Sequence, residues 1–422
     1  MGNTQDESLL NPPAHLASLA GLISRRRALG TLAGGGIATG LAAARSREIF
    51  AKDWTATPNV QATSAETGSG RGMTPFNFRL GASEPQVFAS GTVRAATAKD
   101  IPALSGLAMN LVEISAGAIR ELHWHPNAGE VNYCLEGEGV IGILSASGDH
   151  ATFTIATGSI TYVPVGDAHY IQNTGSTTLR LLIGFSHELP EHLDFSQTLP
   201  WMQADLLNQT LGVVPGTLPV FSPRGDLAIT PVERVSTPVV EGTAAAFNAN
   251  LDDLVVQKFA GGTVQPLRTD VITRLEGMTL LKLDIDAGAL REPHWHGNAS
   301  EFNYCASGTA LVGIVAPSGE SWTFVVEVGD VAYIPNNWFH YIASLNDEPL
   351  VLLAFFDAVA PNRVDLSTMT AYFPPEVLAA SFGMDPGVFA QLPKRDTVVI
   401  AGPVSSETGT PGTITPDATP ST

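Results

Sequence analysis

The stretch "HWHPNAGEVNYC", residues 123–134, returns in almost the same form as "HWHGNASEFNYC" at residues 294–305. The two copies lie 171 positions apart. The same offset relates "AGAIRELHWH" (116–125) to "AGALREPHWH" (287–296), so no insertion separates these repeated blocks. An ungapped repeat of this size is typical of a duplicated domain and not of a solenoid of short repeats. The sequence therefore predicts two domains of one kind.

Each copy has the pattern of short β-strands. Runs such as "VNYCLEGEGVIGILSA" and "TFTIATGSITYVPV" are apolar or alternating, and turn residues such as those in "SASGDH" interrupt them. Evenly spaced short strands predict a closed or double-sheet jelly-roll barrel. Helix signals occur only after each barrel, in "LPWMQADLLNQTLGV" and "FPPEVLAASFGM". The predicted fold class is all-β, with two tandem jelly-roll barrels and short flanking helices.

Composition limits the classes of function. A chain of 422 residues with 44% hydrophobic residues fits two globular domains plus tails. Its net charge of −19 argues against a nucleic-acid partner, and an anionic substrate would have to be attracted by local cations. The two cysteines, Cys134 and Cys305, occupy matching places in the two copies. We expect each to be a buried hydrophobic residue of its own domain, without a disulfide between them.

The first residues predict an export signal. "SRRRALG" (24–30) precedes the small and apolar run "TLAGGGIATGLAAA". A basic start, a short apolar run and a small-residue end are typical of a signal peptide, and the arginine pair resembles a twin-arginine signal. An uncleaved anchor is the alternative. We expect export to the periplasm, the cell surface or the medium, and no stable membrane insertion after signal removal, because no other stretch is apolar enough to span a membrane.

The predicted domain organisation follows from the repeat and from shifts in composition. It comprises a twin-arginine-type signal peptide (1–44), a flexible linker (45–75), an N-terminal barrel domain (76–212), a crossover (213–242), a C-terminal barrel domain (243–392) and a C-terminal tail (393–422).

The quoted stretch also predicts a metal site. His123 and His125 lie two apart, so in a strand they share a face; Glu130 follows after a four-residue turn, and His169 comes from a later hairpin. Three imidazoles and one carboxylate suit Mn, Fe, Zn, Ni or Cu, and the coordination positions they leave open suit a reacting metal. The spacing from the glutamate to the last histidine is 39 positions in both copies. The second set is His294, His296, Glu301 and His340.

These spacings resemble a known family. His-x-His-x4-Glu, followed by Gly-x5-Pro-x-Gly-x2-His-x3-Asn, resembles the two-part motif of the cupins. The second copy departs from it at Asn337 and Ser344, where the motif has Gly and Asn. Over about residues 76–392 the chain resembles the bicupin oxalate decarboxylases, notably in "SGTVRAATAKDIP" and "GAIRELHWH". The resemblance implies manganese in each domain, oxalate as the substrate, formate and carbon dioxide as products, and dioxygen as a helper.

Two arginines are predicted to bind the substrate. Arg120 and Arg291 stand three residues before the two histidine pairs. In the family that this chain resembles, an arginine at this position contacts the substrate carboxylate, and a forked guanidinium beside a divalent metal suits a small dianion. The alternative is a salt bridge at the rim, for instance with Glu121 or Glu292.

A decarboxylase also needs a proton carrier. Cleaving the carbon–carbon bond of oxalate requires a base to take the acid proton and an acid to protonate the remaining carbon. Family members use a glutamate on a mobile lid after the last strand of the first barrel. In "FSHELPEHLDFSQTLPW" the resemblance points to Glu191 as the catalytic glutamate. Glu188, His187 and His192 are the alternatives, and a solvated acidic loop without a role is another.

The two sites are predicted to differ. At the offset of 171, Glu191 meets Asn362, and Ala354 stands where family members can carry a carboxylate in the second barrel. We therefore expect turnover at the first site and a structural metal at the second. Asn132 and Asn303 should face inward near the metals, where polar side chains can alter the range of substrates.

Other functions stay open at this point. An oxalate oxidase needs the same metal site but no protonation of carbon, and it would release hydrogen peroxide. A non-catalytic cupin that binds a metal or a small ligand is a different class, since fold does not fix function. Outward aromatic residues, Trp124 and Trp295, favour barrel-to-barrel packing and leave a homo-oligomer open.

Overall fold

The structure, a computed structural model, describes residues 73–222, 228–232, 244–345, 347–393 and 397–401. The predicted signal peptide and almost all of the predicted linker lie outside the described residues, as do parts of the crossover and most of the tail. Within the described part of the chain, no helix is both long and apolar enough to cross a membrane.

The elements are numbered in chain order. The strands up to the end of the first barrel and its following segment are β1 (Asn77–Phe78), β2 (Gln86–Phe88), β3 (Gly91–Ala96), β4 (Ala108–Ile114), β5 (Ala118–Trp124), β6 (Glu130–Glu136), β7 (Glu138–Leu144), β8 (His150–Ala156), β9 (Ser159–Val163), β10 (Ala168–Asn173), β11 (Leu179–Phe185), β12 (Leu193–Asp194) and β13 (Ile229–Pro231). The later strands are β14 (Asn248–Asn250), β15 (Gln257–Phe259), β16 (Gly262–Pro266), β17 (Thr279–Ile285), β18 (Leu290–Trp295), β19 (Glu301–Ser307), β20 (Thr309–Val315), β21 (Ser321–Glu327), β22 (Val331–Ile334), β23 (Phe339–Ser344), β24 (Leu350–Phe356), β25 (Val364–Asp365) and β26 (Val399–Ile400). The α-helices are α1 (Phe195–Thr198), α2 (Ala204–Leu211), α3 (Leu366–Tyr372), α4 (Pro375–Phe382) and α5 (Pro386–Ala390).

The strands form two barrels, each made of two sheets. The first barrel combines the sheet β14-β9-β6-β11-β4-β3-β2 with the sheet β12-β5-β10-β7-β8, in which β13 also pairs with β5. The second combines β1-β22-β19-β24-β17-β16-β15 with β21-β20-β23-β18-β25, in which β26 also pairs with β18. The helices are short and follow the barrels. The prediction of an all-β chain with two tandem barrels and short flanking helices is confirmed.

The two domains exchange edge strands. β1, at the start of the predicted first domain, pairs with β22 of the second barrel, and β14 pairs with β9 of the first. Each segment covers an edge that would otherwise present unpaired backbone groups. One buried cluster joins side chains from both barrels, including Leu107 and Met109 with Phe302 and Phe355. The two barrels therefore share part of their core.

Short strands return to each barrel after its helices. β13 lies within the predicted crossover, and β26 lies within the predicted tail. They pair with β5 and β18, the two strands that carry the His-x-His pairs. The return strands thus bring backbone carbonyl groups of the predicted connecting segments next to the candidate sites.

Two sequence details are explained by local structure. Gly166 has φ 81° and Asn337, its counterpart in the second copy, has φ 65°. Both residues adopt the left-handed backbone conformation, which asparagine tolerates better than most residues. The turn is therefore the same in both copies, although Asn337 departs from the motif. Cys134 and Cys305 are both buried and free, which confirms the expectation of two unpaired core cysteines.

Candidate metal centres and active site

The structure brings each predicted ligand set together. In both domains the ligating atoms of the four side chains lie within 4.8 Å of one another, and all the side chains are buried. In the first domain β5 supplies His123 and His125, and β10 supplies His169 from the same sheet. Glu130 begins β6 in the facing sheet, so the cluster lies between the two sheets, inside the barrel.

Backbone hydrogen bonds fix the tautomer of each histidine in the first cluster. The three Nδ1 atoms of His123, His125 and His169 lie 2.7, 2.7 and 3.1 Å from the carbonyl oxygens of Glu121, Glu191 and Asp167. A carbonyl oxygen only accepts, so each Nδ1 carries the proton and donates. Each Nε2 therefore presents a lone pair towards the centre of the cluster. This is the arrangement of a metal-binding imidazole, in which Nδ1 donates a hydrogen bond and Nε2 binds the metal.

The second cluster repeats this arrangement. The Nδ1 atoms of His294, His296 and His340 lie 2.8, 2.6 and 2.9 Å from the carbonyl oxygens of Glu292, Asn362 and Trp338. Consequently the Nε2 atoms of His294 and His296, which are 3.2 Å apart, face each other without a proton between them. Glu301 Oε2 lies 3.1 Å from Nε2 of His296 and 3.2 Å from Nε2 of His340.

This chemistry fits a bound cation. In the first cluster, Nε2 of His125, Nε2 of His169 and Oε1 of Glu130 are buried without a hydrogen-bond partner. Converging buried acceptors are costly unless something that accepts electron pairs lies among them. A set of three imidazoles and one carboxylate is the donor set of a transition-metal site. The residues present therefore fit one metal ion in each domain.

Protonation states agree with this assignment. Burial, followed by the neighbouring His169 and Arg120, lowers the pKa of His123 well below its ordinary value. Burial alone would raise the pKa of Glu130, but His169 and His125 hold it well below its usual range. A neutral His123 and an ionised Glu130 are the states that a divalent metal requires of these two ligands.

A β-bulge explains how the arginines reach the sites. His123 pairs with His169 and Arg120 pairs with Ile171, so three steps along β5 oppose only two along β10. An extra residue in one strand of a pair shifts the side-chain alternation by one. Arg120 consequently shares the face of His123 despite the odd spacing. The same register shift between Arg291 and His294 occurs in β18.

Each arginine is held by an aspartate. Nη1 of Arg120 lies 2.7 Å from Oδ1 of Asp194, whose side chain is fully buried, and 3.3 Å from the carbonyl oxygen of Ala228. Arg291 lies 2.8 Å from Asp365 and 2.9 Å from the carbonyl oxygen of Val398. These carbonyl groups immediately precede the return strands β13 and β26.

The arginines do form salt bridges, but not with Glu121 and Glu292, the partners given as the alternative. Both carboxylate oxygens of Glu121 are engaged by Ser196, at 2.7 Å from Oγ and 3.0 Å from the backbone nitrogen. Glu292 makes the equivalent bonds to Ser367. The acidic partners are Asp194 and Asp365, to which the sequence analysis assigned no role. The sequence indicates their importance only by the recurrence of an aspartate at the offset of 171.

The first site opens into a cavity of about 520 Å³. Arg120 and the ligands His123, His125 and Glu130 line its inner part together with apolar side chains such as Ile183. The cavity also contacts polar residues that sequence reasoning missed, Lys99 and Asn110. They carry no recognisable motif, because they come from strands and turns distant in sequence and meet only in the folded barrel.

The four candidate proton carriers lie on one segment, residues 187–192, here called the lid, but only two of them line the cavity. Glu191 and His192 line the cavity, and both are exposed. Glu188 does not line it; its Oε2 accepts a hydrogen bond of 3.1 Å from the backbone nitrogen of Gly106. The hydrogen bond from its own backbone N–H, followed by that from Gly106, lowers the pKa of Glu188. His187 is also absent from the cavity wall and accepts from the backbone nitrogen of Leu189. The geometry thus favours Glu191 or His192 over the other two.

The second site has a much smaller cavity than the first. Its cavity measures about 70 Å³. Arg363, which replaces His192 at the offset of 171, lines this cavity and lies 2.7 Å from Asp365. Ala354 and Leu281 also line it; Leu281 replaces Asn110. Space and polar groups are both reduced around the second ligand set.

Asn132 and Asn303 lie in the interior, each with 1% exposure. Nδ2 of Asn303 donates a hydrogen bond of 2.8 Å to Oε1 of Glu301. Neither amide atom of Asn132 has a hydrogen-bond partner. The expected inward placement is therefore found, but only the second asparagine supports its glutamate ligand.

Comparison with known proteins agrees with the duplicated barrel. The cupin family model matches residues 80–214 and 248–388. A probable oxalate decarboxylase of Arthroderma benhamiae is 26% identical over 345 residues, which cover 78% of this chain and 84% of that protein. The oxalate decarboxylase OxdC of Bacillus subtilis is 27% identical over 305 residues, covering 67% of this chain and 76% of the relative. A solved structure of the Bacillus subtilis enzyme is 25% identical, with a TM-score of 0.70 over 80% of this chain and 90% of that one. Because the family model matches in both halves and over more than half of the sequence, this chain belongs to the cupin family and contains two cupin domains.

Proposed function

We propose that this protein is a manganese-dependent oxalate decarboxylase that converts oxalate to formate and carbon dioxide. The observation that carries the proposal is the first site. There an arginine, a complete ligand set and an exposed glutamate line one cavity. Relatives that span most of the chain are named oxalate decarboxylases, which supports the same reaction. Imidazole and carboxylate ligands suit manganese among several metals.

Substrate binding follows from the charge of the site. Oxalate is a small anion, and the net charge of −19 makes a local cation necessary. Both described bonds of Arg120 use Nη1, so the remaining N–H donors of its guanidinium are available to one carboxylate. Asp194 keeps the guanidinium facing the cavity. A divalent metal, when bound, polarises a carboxylate oxygen of the substrate.

Proton transfer is assigned to the lid. The hydrogen oxalate ion, HC2O4⁻, and the products HCO2⁻ and CO2 contain the same atoms and charge. The reaction therefore moves one proton from oxygen to carbon. Glu191 lies at the cavity and can hold that proton on its carboxylate while the carbon–carbon bond breaks. The lid over the cavity would exclude water during this step.

The second site is proposed to be structural. Its ligand set is complete, but the adjoining cavity, which Arg363 lines, measures only about 70 Å³. Asn362 stands at the position of Glu191, and its side-chain amide does not act as a general acid or base. A metal there would stabilise the folded state by binding it selectively.

The product of the reaction is the decisive measurement. Purified protein with a measured manganese content is incubated with oxalate, and formate, carbon dioxide and hydrogen peroxide are quantified. Formate and carbon dioxide in equal amounts support the proposal. Hydrogen peroxide as the main product would identify an oxalate oxidase, and binding without turnover would identify a ligand-binding cupin. The double substitution His123→Ala/His125→Ala provides the inactive control.

We also propose that the protein is exported as a folded chain. The support is the basic stretch at residues 24–30 followed by a short apolar run, which lies outside the described residues. Fractionation of cells that express the protein tests this. Changing Arg25 and Arg26 to lysine should keep the protein inside, and unchanged export of that variant would refute a twin-arginine route.

A further inference from the structure

The turn between the first histidine pair and Glu130 contacts the lid. In this turn, Nδ2 of Asn127 donates a hydrogen bond of 3.0 Å to the carbonyl oxygen of Leu189. Its Oδ1 accepts one of 2.8 Å from the backbone nitrogen of Glu191. One side-chain amide therefore bridges two backbone groups on either side of Pro190.

A third bond comes from a metal-ligand residue. Nδ1 of His125 donates to the carbonyl oxygen of Glu191 at 2.7 Å. The backbone of Glu191 is thus held at both its N–H and its C=O groups, while its side chain stays exposed at the cavity. These bonds restrain the stretch between Glu188, which is tied to Ala98, and β12, which pairs with β5.

The second domain contains the same arrangement. Nδ2 of Asn298 donates to the carbonyl oxygen of Ala360 at 3.0 Å, and its Oδ1 accepts from the backbone nitrogen of Asn362 at 2.8 Å. His296 donates to the carbonyl oxygen of Asn362 at 2.6 Å. Since the side chain at this lid position is a glutamate in one domain and an amide in the other, the bonds are independent of it. They are a shared feature of the lid and of the corresponding residues 358–363, the second lid.

We infer that Asn127 is a positioning residue that latches the lid with Glu191 over the first cavity. It fixes the two backbone groups from which the Glu191 side chain extends, so it determines where the carboxyl group lies relative to the cavity. The carbonyl oxygen of Glu191 also accepts the hydrogen bond from Nδ1 of His125. The position of the lid is therefore coupled to the orientation of a metal-binding side chain. The catalytic part of this inference rests on the proposed function, whereas the latch itself does not.

Hydrogen exchange tests the latch directly. The amide of Glu191 donates to Asn127, so Asn127→Ala should remove its protection and speed its exchange by roughly 10- to 100-fold, the effect of two lost neutral hydrogen bonds. Asn127→Asp keeps an acceptor for that amide but places a carboxylate oxygen against the carbonyl oxygen of Leu189, so its exchange should speed up less than that of Asn127→Ala. Unchanged exchange in folded Asn127→Ala protein would overturn the latch.

Steady-state kinetics tests the consequence for turnover. The lid position affects proton delivery more than contact with Arg120, so Asn127→Ala should lower kcat about tenfold or more and change KM little. The matched control Asn298→Ala should loosen the second lid and leave kcat within about twofold. Faster exchange with an unchanged kcat would show that Asn127 does not position a residue used in turnover. If oxalate is not turned over at all, the exchange measurement still decides whether the latch exists, so the two failures can be told apart.

Discussion

Replacing Arg120 with glutamine should reduce oxalate turnover, whereas the equivalent change in the second domain should not. The change removes the cation proposed to hold the substrate and leaves a shorter, neutral polar side chain. Hydrogen bonds to charged groups contribute about 1.5–3 kcal/mol each, which corresponds to roughly 10- to 150-fold in kcat/KM for one lost contact. We therefore expect kcat/KM for oxalate to fall by at least about tenfold, with manganese content unchanged.

The same substitution should also destabilise the fold. Asp194 is fully buried, and Arg120 is its close cationic partner at 2.7 Å, while His192 is at 3.7 Å and pairs only when protonated. Leaving a buried carboxylate without its partner costs about 3–5 kcal/mol. Arg291→Gln is the matched variant in the second domain. It should cost less, because Arg363 remains 2.7 Å from Asp365.

The assay combines denaturant unfolding with kinetics on protein shown to be folded. The expected result is a larger loss of stability and a large loss of kcat/KM for Arg120→Gln, against a smaller loss of stability and nearly parental kcat/KM for Arg291→Gln. Folded Arg120→Gln protein with parental kcat/KM would refute the substrate contact. An equal catalytic loss in both variants would refute the assignment of turnover to the first domain.

Three further expectations concern the proton carrier, the metals and the thiols. Glu191→Gln should suppress formate release by about 10²–10⁴-fold at unchanged metal content; a parental rate, measured by formate assay, would make His192 the next candidate. His123→Ala/His125→Ala should halve the metal bound per chain in elemental analysis, and unchanged content would remove the ligand assignment. Burial raises the pKa of Cys134 to about 11 and that of Cys305 to about 12, so both should resist alkylation at pH 8 until the protein is unfolded. Because ionisation of these thiols favours the unfolded state, thermal unfolding should also show stability falling as the pH rises above about 9.

Much of the fold could be predicted from the repeat. A constant offset established duplication, and alternation established strands, because both are properties of local sequence. The exchange of β1 and β14 between the domains could not be predicted. These strands have two and three residues, and what pairs them is the edge left open on the other barrel. The return strands β13 and β26 could not be predicted for the same reason, because they are equally short and pair with an edge of their barrel.

The ligand sets were predictable and the cavity was not. A His-x-His pair is visible in sequence because the strand period puts both side chains on one face. The odd spacing of Arg120 from His123 puts the two side chains on opposite faces of a regular strand. A bulge reverses this alternation, and no residue type in the sequence marks the bulge. Lys99 and Asn110 reach the cavity from separate segments, and the role of Asp194 depends on the burial of its carboxylate. Such features depend on tertiary packing, which a single sequence does not encode locally.

Under the proposed function, the contrast between the two domains indicates where one copy of a duplicated enzyme would lose activity while it keeps its ligand set. Both domains keep four ligands with the same tautomers, and both keep an arginine paired to an aspartate. What differs is the surrounding space, about 520 Å³ against about 70 Å³, and the polar residues of the lid segment that line it: Glu191 and His192 in the first domain, Arg363 in the second. Ligands contribute to stability through the bound metal, so exchanging them would cost both folding and binding. Cavity and lid residues carry no such cost, which makes them the positions at which one copy can give up turnover while it continues to support the fold of the other.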